Sequence, residues 1–259
     1  MKYAVITMVH NGGWYVPIWL KYYRQFFADE DIYIINHGST DGSITDEIRK
    51  RHKVSDLPFS GVISFDFLVA NVSMLHAKLE GLYDYIVIAD IDELIVADPK
   101  YFKDLREYLD QSTLSHISVG TRSLIQEPEE KELDLSKPIL PQRKVWFSEP
   151  DYEKPCINKV TPIWTVGFHY LCTEPGTIVD GMPSYKIVPK VYDDRVLLIH
   201  LNRMDVNLSR KNHKNYQKDS LPEKGPQWSK FLPEDDFDFW YYGTVYKKEV
   251  IPKRFKHIF

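Results

Sequence analysis

The amino-acid sequence predicts an α/β fold with a mostly parallel central sheet, flanking helices and a β-rich C-terminal half. Short apolar runs alternate with segments of helical periodicity through residues 1–115, and this pattern is typical of repeated right-handed crossovers. The 259 residues are 43% hydrophobic, which is enough apolar material for the core of one large domain.

The first strand and the first helix are predicted at the N-terminus. Residues 3–9 form an apolar run that the polar segment 10–13 interrupts. A helix follows, with Pro17 in its first turn, where a missing amide donor costs little. Its apolar positions fall at helical spacing: Tyr15, Ile18, Trp19, Tyr22 and Phe26.

A second strand at residues 32–35 leads into a polar turn and then into a helix through Lys50. Glycines in the turn permit backbone conformations closed to other residues, and its short polar side chains can cap the helix. The turn could offer backbone amides to a phosphate or a base, or it could be an ordinary capped strand-to-helix connection. Its residues are Asn36, His37, Gly38, Ser39, Thr40, Asp41, Gly42 and Ser43.

The alternation of strands and helices continues through residue 119. The predicted elements are a strand at Val62–Phe65, a helix at Val72–Leu82, a strand at Tyr85–Ala89, a helix at Phe102–Leu109 and a strand at His116–Val119.

The second half has shorter elements. Charges and prolines cluster between Glu127 and Gln142, which indicates a mobile loop. A helix is predicted at Leu208–Gln217, and residues 247–259 form a basic and aromatic tail. Short strands are predicted at Lys144–Ser148, Ile157–Ile163, Thr165–Leu171, Tyr185–Val188 and Arg195–His200.

Acidic residues follow the strand Tyr85–Ala89. Residues two apart in a strand point to one face, so Asp90 and Asp92 are expected to converge while Glu93 points elsewhere. Two carboxylates at the carboxyl end of a central strand suit a hard divalent cation, and open α/β sheets bind ligands at this edge. The alternatives are a solvated capping turn, or an Asp90 nucleophile like that of the haloacid-dehalogenase-like phosphatases.

Composition excludes some partners. Lys and Arg number 33 and Asp and Glu 37, so a formal net charge of −4 offers no global attraction for nucleic acid or an anionic membrane. Only Cys156 and Cys172 are present, which favours a reducing compartment, with a single disulfide between them as the alternative. No leader-like or membrane-spanning run is apparent, so we expect a soluble cytoplasmic protein or one peripheral to a membrane.

The order and spacing of these motifs over about the first 95 residues resemble a family 2-like glycosyltransferase with the A-type (GT-A) fold. The matching segments are Val9-His10-Asn11, Pro17 to Tyr23, Asn36 to Ser43, and Ile88-Ala89-Asp90-Ile91-Asp92-Glu93. Asn158-Lys159 before His169, and Ile199-His200-Leu201, extend the resemblance more loosely. The sequence departs from the family where acids are common, at Gly12, Asn36 and His37.

The resemblance implies binding roles for particular residues. The donor nucleotide sugar would contact Val9, His10, Asn11, Asn36, His37, Gly38, Asp41, Asn71, Asp90, Ile91 and Lys159. A divalent cation, Mn²⁺ or Mg²⁺, would be held on the diphosphate by Asp90 and Asp92. His200 follows an apolar strand and could complete that coordination, with His169 as a second candidate and a structural histidine as the alternative for both. Lys159 could contact a phosphate oxygen or be a surface lysine.

An acceptor hydroxyl needs a base, and the segment after residue 148 offers Glu149, Asp151 and Glu153 as weak candidates beside the alternative of a solvated acidic loop. The resemblance therefore implies a metal-dependent hexosyltransferase that acts on a glycan or lipid-linked acceptor and inverts the anomeric carbon. We expect one domain, with a donor half at 1–115, an acceptor half at 116–246 and a tail at 247–259 that could contact a membrane weakly. The rival functions are an aspartate-nucleophile phosphohydrolase and a non-catalytic carbohydrate-binding protein.

Overall fold

A curled, mostly parallel sheet with flanking helices forms the centre of the fold, as the sequence predicts, and this architecture is consistent with a GT-A-like fold. The computed structural model describes residues 1–61, 63–174, 177–179, 182–184, 186–219, 237–243 and 247–259. No helix among these residues is long and apolar enough to cross a membrane.

Strands and helices alternate through the first half, and strands dominate the second half. The helices are α1 Tyr15–Tyr23, α2 Asp46–Arg51, α3 Phe65–Leu79, α4 Leu105–Gln111 and α5 Val206–Asp219. The strands of the first half are β1 Tyr3–Val9, β2 Ile32–His37, β3 Lys53–Leu57, β4 Tyr85–Ile88 and β5 Glu93–Ala97. Those of the second half are β6 His116–Ile125, β7 Val145–Ser148, β8 Lys154–Asn158, β9 Ile163–Trp164, β10 Leu171–Cys172, β11 Thr177–Val179, β12 Met182–Ser184, β13 Ile187–Val188, β14 Tyr192–Arg203 and β15 Lys248–Val250.

The main sheet has the strand order β15-β7-β6-β8-β4-β1-β2-β3, with β14 paired to both β5 and β6. The segment β3-β2-β1-β4 is parallel, as is the pairing of β14 with β6. The remaining pairs of this sheet are antiparallel. The strand order reverses beside β1, so the loops after β1, β2 and β4 meet at one edge, where doubly wound sheets bind ligands.

Aromatic side chains of α1 attach this helix to β5. Tyr22, Tyr23 and Trp19 are buried against the sheet. The Tyr22 hydroxyl donates to the Ile95 carbonyl at 2.7 Å, and the Tyr23 hydroxyl accepts from the Ile95 amide at 2.9 Å. The helical spacing of aromatics in the sequence therefore reports both a core face and an anchor for a strand.

Two strands differ from the sequence prediction. The third strand of the sheet is Lys53–Leu57 rather than Val62–Phe65; Phe65 begins α3, and Val62 lies outside the described residues. This strand is polar because it is the edge of the sheet and much of it is solvent-exposed. The buried strand Glu93–Ala97 begins within the acidic segment and was not predicted, because its charged first residue resembled the end of a motif.

Several strands of the second half also differ from prediction. Residues 165–170 are not a strand, because a tight turn at Val166–Phe168 precedes the two-residue strand Leu171–Cys172. The predicted strand Ile157–Ile163 is divided between the end of β8 and β9. Tyr185, in another predicted strand, lies outside the described residues.

The segment 127–142 is attached to the domain, contrary to the mobile loop predicted. The buried Arg143 donates to the carbonyls of Met204 and Lys131 at 2.5 and 3.1 Å. Asp205 accepts from the Leu133 amide at 2.8 Å. A charged segment can thus be held by buried polar partners that lie far away in the sequence.

The basic tail packs on the domain. Ile251 and Phe255 are buried, and Arg254 donates two hydrogen bonds to Asp98 at 2.6 and 2.8 Å. Cys156 and Cys172 are free and buried, so the disulfide considered from the sequence is not present.

Candidate active site

The loops after β1 and β2 are joined by hydrogen bonds. Asn11 has a left-handed φ of 52°; its amide donates to Ser39 Oγ at 3.0 Å, and its side-chain oxygen accepts from the Thr40 amide at 2.8 Å. Asp41 Oδ2 accepts from the Gly13 amide at 2.9 Å. These contacts bring the two predicted nucleotide-binding loops together.

Two glycines are required by close packing in these loops. Gly38 has φ +65°, and a Cβ there would lie 2.4 Å from Phe59 Cβ. A Cβ at Gly12 would lie 2.9 Å from Val9 Cγ1 and 3.0 Å from Val16 Cγ2. The acid that is common in the resembled family at this position has no room here, which gives a physical reason for the departure.

Asn36 and His37, the other departures, are buried at the end of β2. Asn36 Oδ1 accepts from the Ser39 amide at 3.0 Å, and Asn36 Nδ2 donates to Asp56 Oδ1 at 2.7 Å. His10 Nδ1 lies 2.6 Å from the His37 carbonyl oxygen. Burial, reinforced by His10, lowers the pKa of His37. Asn36 therefore holds its loop in shape with both ends of its side chain.

Asp90 and Glu93 share one lysine. Lys154 Nζ lies 2.5 Å from Asp90 Oδ2 and 2.6 Å from Glu93 Oε1, and the Asp90 amide donates to Glu93 Oε2 at 3.0 Å. The Glu93 side chain is 1% exposed and that of Lys154 is 8% exposed. The acids follow β4 in a turn rather than in extended strand, so Asp90 is grouped with Glu93, contrary to the alternation expected from the sequence.

Asp92 meets His200 from the other half of the chain. His200 Nε2 lies 3.3 Å from Asp92 Oδ2, and the Asp92 carbonyl accepts from the Leu201 amide at 2.8 Å. Strand β14 places His200 opposite Glu93 of β5. The side chains of Asp92 and His200 are 20% and 5% exposed, so the pair is accessible mainly from the Asp92 side.

The charges of this pair support one another. Burial lowers the pKa of His200, but Asp92 and Glu149 outweigh it and raise the pKa to about 10. Burial raises the pKa of Asp92, but His200 and Lys154 outweigh it, and the net shift is downward. The ring of His169 behaves oppositely: burial and the nearby cations Lys154, Lys190 and His200 lower its pKa to about 3, so it is neutral at physiological pH.

The residues fit a divalent cation in part. Asp92 offers one oxygen at the ligand-binding edge, and His200 could add a nitrogen only after losing the proton that Asp92 and Glu149 stabilise. Mg²⁺-type sites often use one or two protein ligands with substrate phosphates and water. Asp90 is paired with Lys154 instead. In the part of the chain that the structure describes, no group of three or more His, Cys, Asp or Glu could hold a metal ion.

The three candidate bases have different surroundings. Glu149 is buried; its Oε1 accepts from Arg203 Nη2 at 3.2 Å, and its Oε2 accepts from Ser123 Oγ. Burial raises the pKa of Glu149, but His200, Arg203 and Ser123 outweigh it and lower the pKa. Asp151 is exposed, and Glu153 Oε2 accepts from the Tyr192 hydroxyl at 2.7 Å. For Asp151 and Glu153, the role of general base for the acceptor hydroxyl remains a prediction.

One predicted donor-binding residue, Lys159, lies away from this group. Lys159 follows β8, and its Nζ lies 4.7 Å from the ring centroid of Tyr85, the first residue of β4. That is the opposite edge from Asp90, so Lys159 is not placed to contact the same diphosphate. Asn71 lies within α3 and donates to the Phe67 carbonyl at 2.8 Å. Ile91 lies beside Gly12, between the loops after β1 and β4.

Sequence reasoning missed three residues around the acids: Lys154, Tyr152 and Arg203. A lone lysine or arginine carries no local signal, and Lys154 lies 64 residues from Asp90. The Tyr152 ring lies 4.9 Å from the His200 ring. The only signal in the sequence is the cluster of acids in segment 149–153, which includes Tyr152 and ends next to Lys154.

Comparisons with known proteins include two solved structures that are distantly similar to this chain. No family model matches the chain, and no curated protein matches it. The structure of TarS residues 1–349 from S. aureus is similar at 13% identity and a TM-score of 0.40, covering 94% of this chain and 73% of that one. A mannose-1-phosphate geranyltransferase from Thermus thermophilus is similar at 9% identity and a TM-score of 0.33, covering 94% and 68%. Similarities this distant do not transfer a function to the chain.

Proposed function

We propose that this chain is a glycosyltransferase of the hexosyltransferase type, which moves a sugar from a nucleotide diphosphate sugar to a glycan or lipid-linked acceptor. One observation carries the proposal: Asp92 from the first half and His200 from the second half meet 3.3 Å apart at the carboxyl edge of the parallel strands. The loops after β1 and β2 reach the same edge. That edge is the expected crevice for a nucleotide in a sheet with this strand order.

A divalent cation, Mn²⁺ or Mg²⁺, is part of the proposal. Asp92 and His200 would hold it, and it would neutralise the negative charge that develops on the leaving diphosphate. Four acids, Asp90, Asp92, Glu93 and Glu149, surround this point, together with two cations, Lys154 and Arg203, and one histidine, His200, which must lose a proton to bind a metal. The excess of carboxylates favours a cation here.

The chain's own residues then have distinct tasks. The linked loops at Asn11 and Ser39 would bind the nucleoside beside His10, whose ring centroid lies 4.3 Å from that of Phe59. Lys154 holds the turn that carries Asp92, because it ties Asp90 to Glu93. Asp151 or Glu153 would take the proton of the acceptor hydroxyl. Inversion at the anomeric carbon is the outcome that the resemblance implies.

Membrane contact by the tail is left out of the proposal. The apolar residues Ile251 and Phe255, which would enter a membrane interface, are buried in the domain. Removal of the tail would therefore also remove core side chains.

The test measures nucleotide binding with and without metal. Wild type and Asp92→Ala would be screened by thermal shift against nucleoside diphosphates, each with Mn²⁺ and with a chelator, and any hit would be assayed for donor hydrolysis. We expect a Mn²⁺-dependent shift in wild type that Asp92→Ala loses. Asp31→Ala is the matched control, because Asp31 has a similarly small exposure, at 14%, and lies before β2, at the opposite edge.

The outcomes separate the rival functions. Retention of Mn²⁺-dependent binding by Asp92→Ala would refute the cation site. Phosphatase activity that needs Asp90, with no nucleotide bound, would identify a phosphohydrolase. Binding of a glycan without nucleotide binding or turnover would identify a non-catalytic protein.

A further inference from the structure

A cavity of about 160 Å³ lies between the start of β6 and the small sheet formed by β9, β10 and β13. Ser118 and Leu171, which line it, are buried, whereas Val191 is 48% exposed, so the cavity extends from the surface to the central sheet. Its apolar walls come from five residues: Leu114, Leu171, Val188, Pro189 and Val191. Protein interiors contain few voids larger than a water molecule, so an apolar cavity of this size is a candidate ligand site.

Backbone hydrogen bonds hold the walls of the cavity in place. The Ser118 amide donates to the Val191 carbonyl at 2.8 Å. Leu171 pairs with Val188 on one side and with Trp164 on the other. The cavity is therefore preformed, and a ligand would enter it without reordering the chain.

The lining favours an uncharged occupant. No carboxylate lines the cavity within the described residues, and the lysine in its lining already has partners: Lys190 Nζ donates to the Glu153 carbonyl at 2.9 Å and lies 4.4 Å from the Tyr170 ring centroid. A cation would find no counter-ion here, and an anion would have to draw Lys190 away from these contacts. A protein cavity of about 150 Å³ with aliphatic walls is large enough for benzene. The occupant that fits is therefore an uncharged ring of about that size.

Glu153 connects the cavity to the candidate active site. Its carbonyl accepts from Lys190, which lines the cavity, and its Oε2 accepts from the Tyr192 hydroxyl at 2.7 Å. The next residue, Lys154, contacts Asp90. A ligand held in the cavity would thus extend past Glu153 toward the acids after β4.

We propose that this cavity binds the aglycone of the acceptor, an uncharged, compact apolar group of about the size of a phenyl ring, and that the sugar attached to this group lies beside Glu153. The inference rests on the proposed function, because it names the class of acceptor for that reaction: a sugar or short glycan linked to such a ring. Of the two candidate bases, Glu153 contacts a residue of the cavity, so it would take the proton of the acceptor hydroxyl.

Binding is measured on the whole chain with benzyl alcohol as the probe. Nuclear magnetic resonance titrations would compare wild type, Val188→Phe and Val145→Phe, with 2-naphthylmethanol as a larger probe. Val188→Phe fills the cavity with a ring of its own, so benzyl alcohol should bind about 10- to 100-fold more weakly, the loss expected when a ring of this size can no longer be buried. Wild type should bind the larger probe more weakly than benzyl alcohol, whereas a flat apolar surface would favour the larger probe.

Val145→Phe is the matched control. Val145 and Val188 are both half-buried valines in short strands, but Val145 lies in β7 and does not line the cavity. This variant should bind both probes as wild type does. If Val188→Phe does not fold, Val191→Phe replaces it, because Val191 lines the same cavity at its exposed side.

Transfer is measured separately with pairs of acceptors. For any donor that wild type hydrolyses, benzyl and methyl glycosides of the same sugars would be compared. We expect wild type to have a KM about 10-fold lower for the benzyl glycoside, because only that acceptor buries a ring. Val188→Phe should lose this difference, and Val145→Phe should keep it.

The results distinguish failure of the inference from failure of the proposed function. If wild type does not bind benzyl alcohol, or if folded Val188→Phe binds it equally well, the cavity is not a ligand site. Binding in the cavity with equal KM values for benzyl and methyl glycosides would overturn the acceptor assignment. If wild type uses no donor, the proposed function fails and the acceptor assignment fails with it, while the probe titrations still decide whether the cavity is a ligand site.

Discussion

Lys154→Met should destabilise the fold strongly, because Lys154 is the cation that Asp90 and Glu93 share. Its Nζ lies 2.5 and 2.6 Å from the two carboxylates. Asp90 is 31% exposed and can be solvated after the change, but Glu93 is 1% exposed and cannot. Removal of one partner from a buried ion pair costs about 3–5 kcal/mol, so we expect a loss of that size in the free energy of unfolding, mostly from Glu93.

Urea denaturation at neutral pH, followed by circular dichroism, would measure this loss. Lys190→Met is the control, because Lys190 is half-buried but donates to the carbonyl of Glu153 rather than to a carboxylate. Its loss should be near 1 kcal/mol, as for an ordinary hydrogen bond. The double variant Lys154→Met/Glu93→Gln should recover most of the stability, because it no longer buries an unpaired charge. A loss below about 1 kcal/mol for Lys154→Met, or no recovery in the double variant, would refute the reasoning.

Three further changes test the packing. Burial lowers the pKa of His76 from 6.5 to about 4, so between these pH values the unfolded state binds more protons than the folded state. The free energy of unfolding of wild type should therefore fall by about 3 kcal/mol as the pH falls from 6.5 to 4. Denaturation of His76→Gln over the same pH range should show no such contribution. Gly38→Ala places a Cβ against Phe59 and should lower the melting temperature well below that of Gly42→Ala, whose φ is also positive but whose Cβ would meet nothing within 4 Å. Phe255→Ala should cost about 3–5 kcal/mol in urea denaturation, since this tail residue is fully buried; a loss near zero would restore the tail as a free surface.

Local patterns in the sequence predicted much of the donor half. The strands at residues 3–9 and 85–88 are apolar because they are buried on both faces in the parallel part of the sheet, and such strands are continuous apolar runs. The edge strand Lys53–Leu57 has no such pattern, because an edge needs no apolar run. Glu93 was not predicted to lie in a strand for a different reason. It is a buried strand residue, and the lysine that pairs with its charge is distant in the sequence.

The sequence predicted only those parts of the candidate site that belong to local motifs. The acids after β4 and the histidine at the end of an apolar strand were identified from the sequence, and the structure brings Asp92 and His200 together. Which acid meets which cation depends on strand pairing across the chain. Lys154 reaches Asp90 because β8 lies beside β4, and nothing near Lys154 in the sequence indicates that neighbour.

Strand β14 also determines when the site can exist. In the described part of the chain, β5 pairs only with β14, and β14 joins it to β6. A growing polypeptide therefore exposes the edge of β5 and the acids beside it until residues 192–203 have been synthesised. Unpaired edges of this kind favour association between chains, so the nascent chain would depend on rapid insertion of β14 or on chaperones. Recombination between the two halves would be constrained in the same way, because an exchanged second half would have to reproduce the register of β14 against β5.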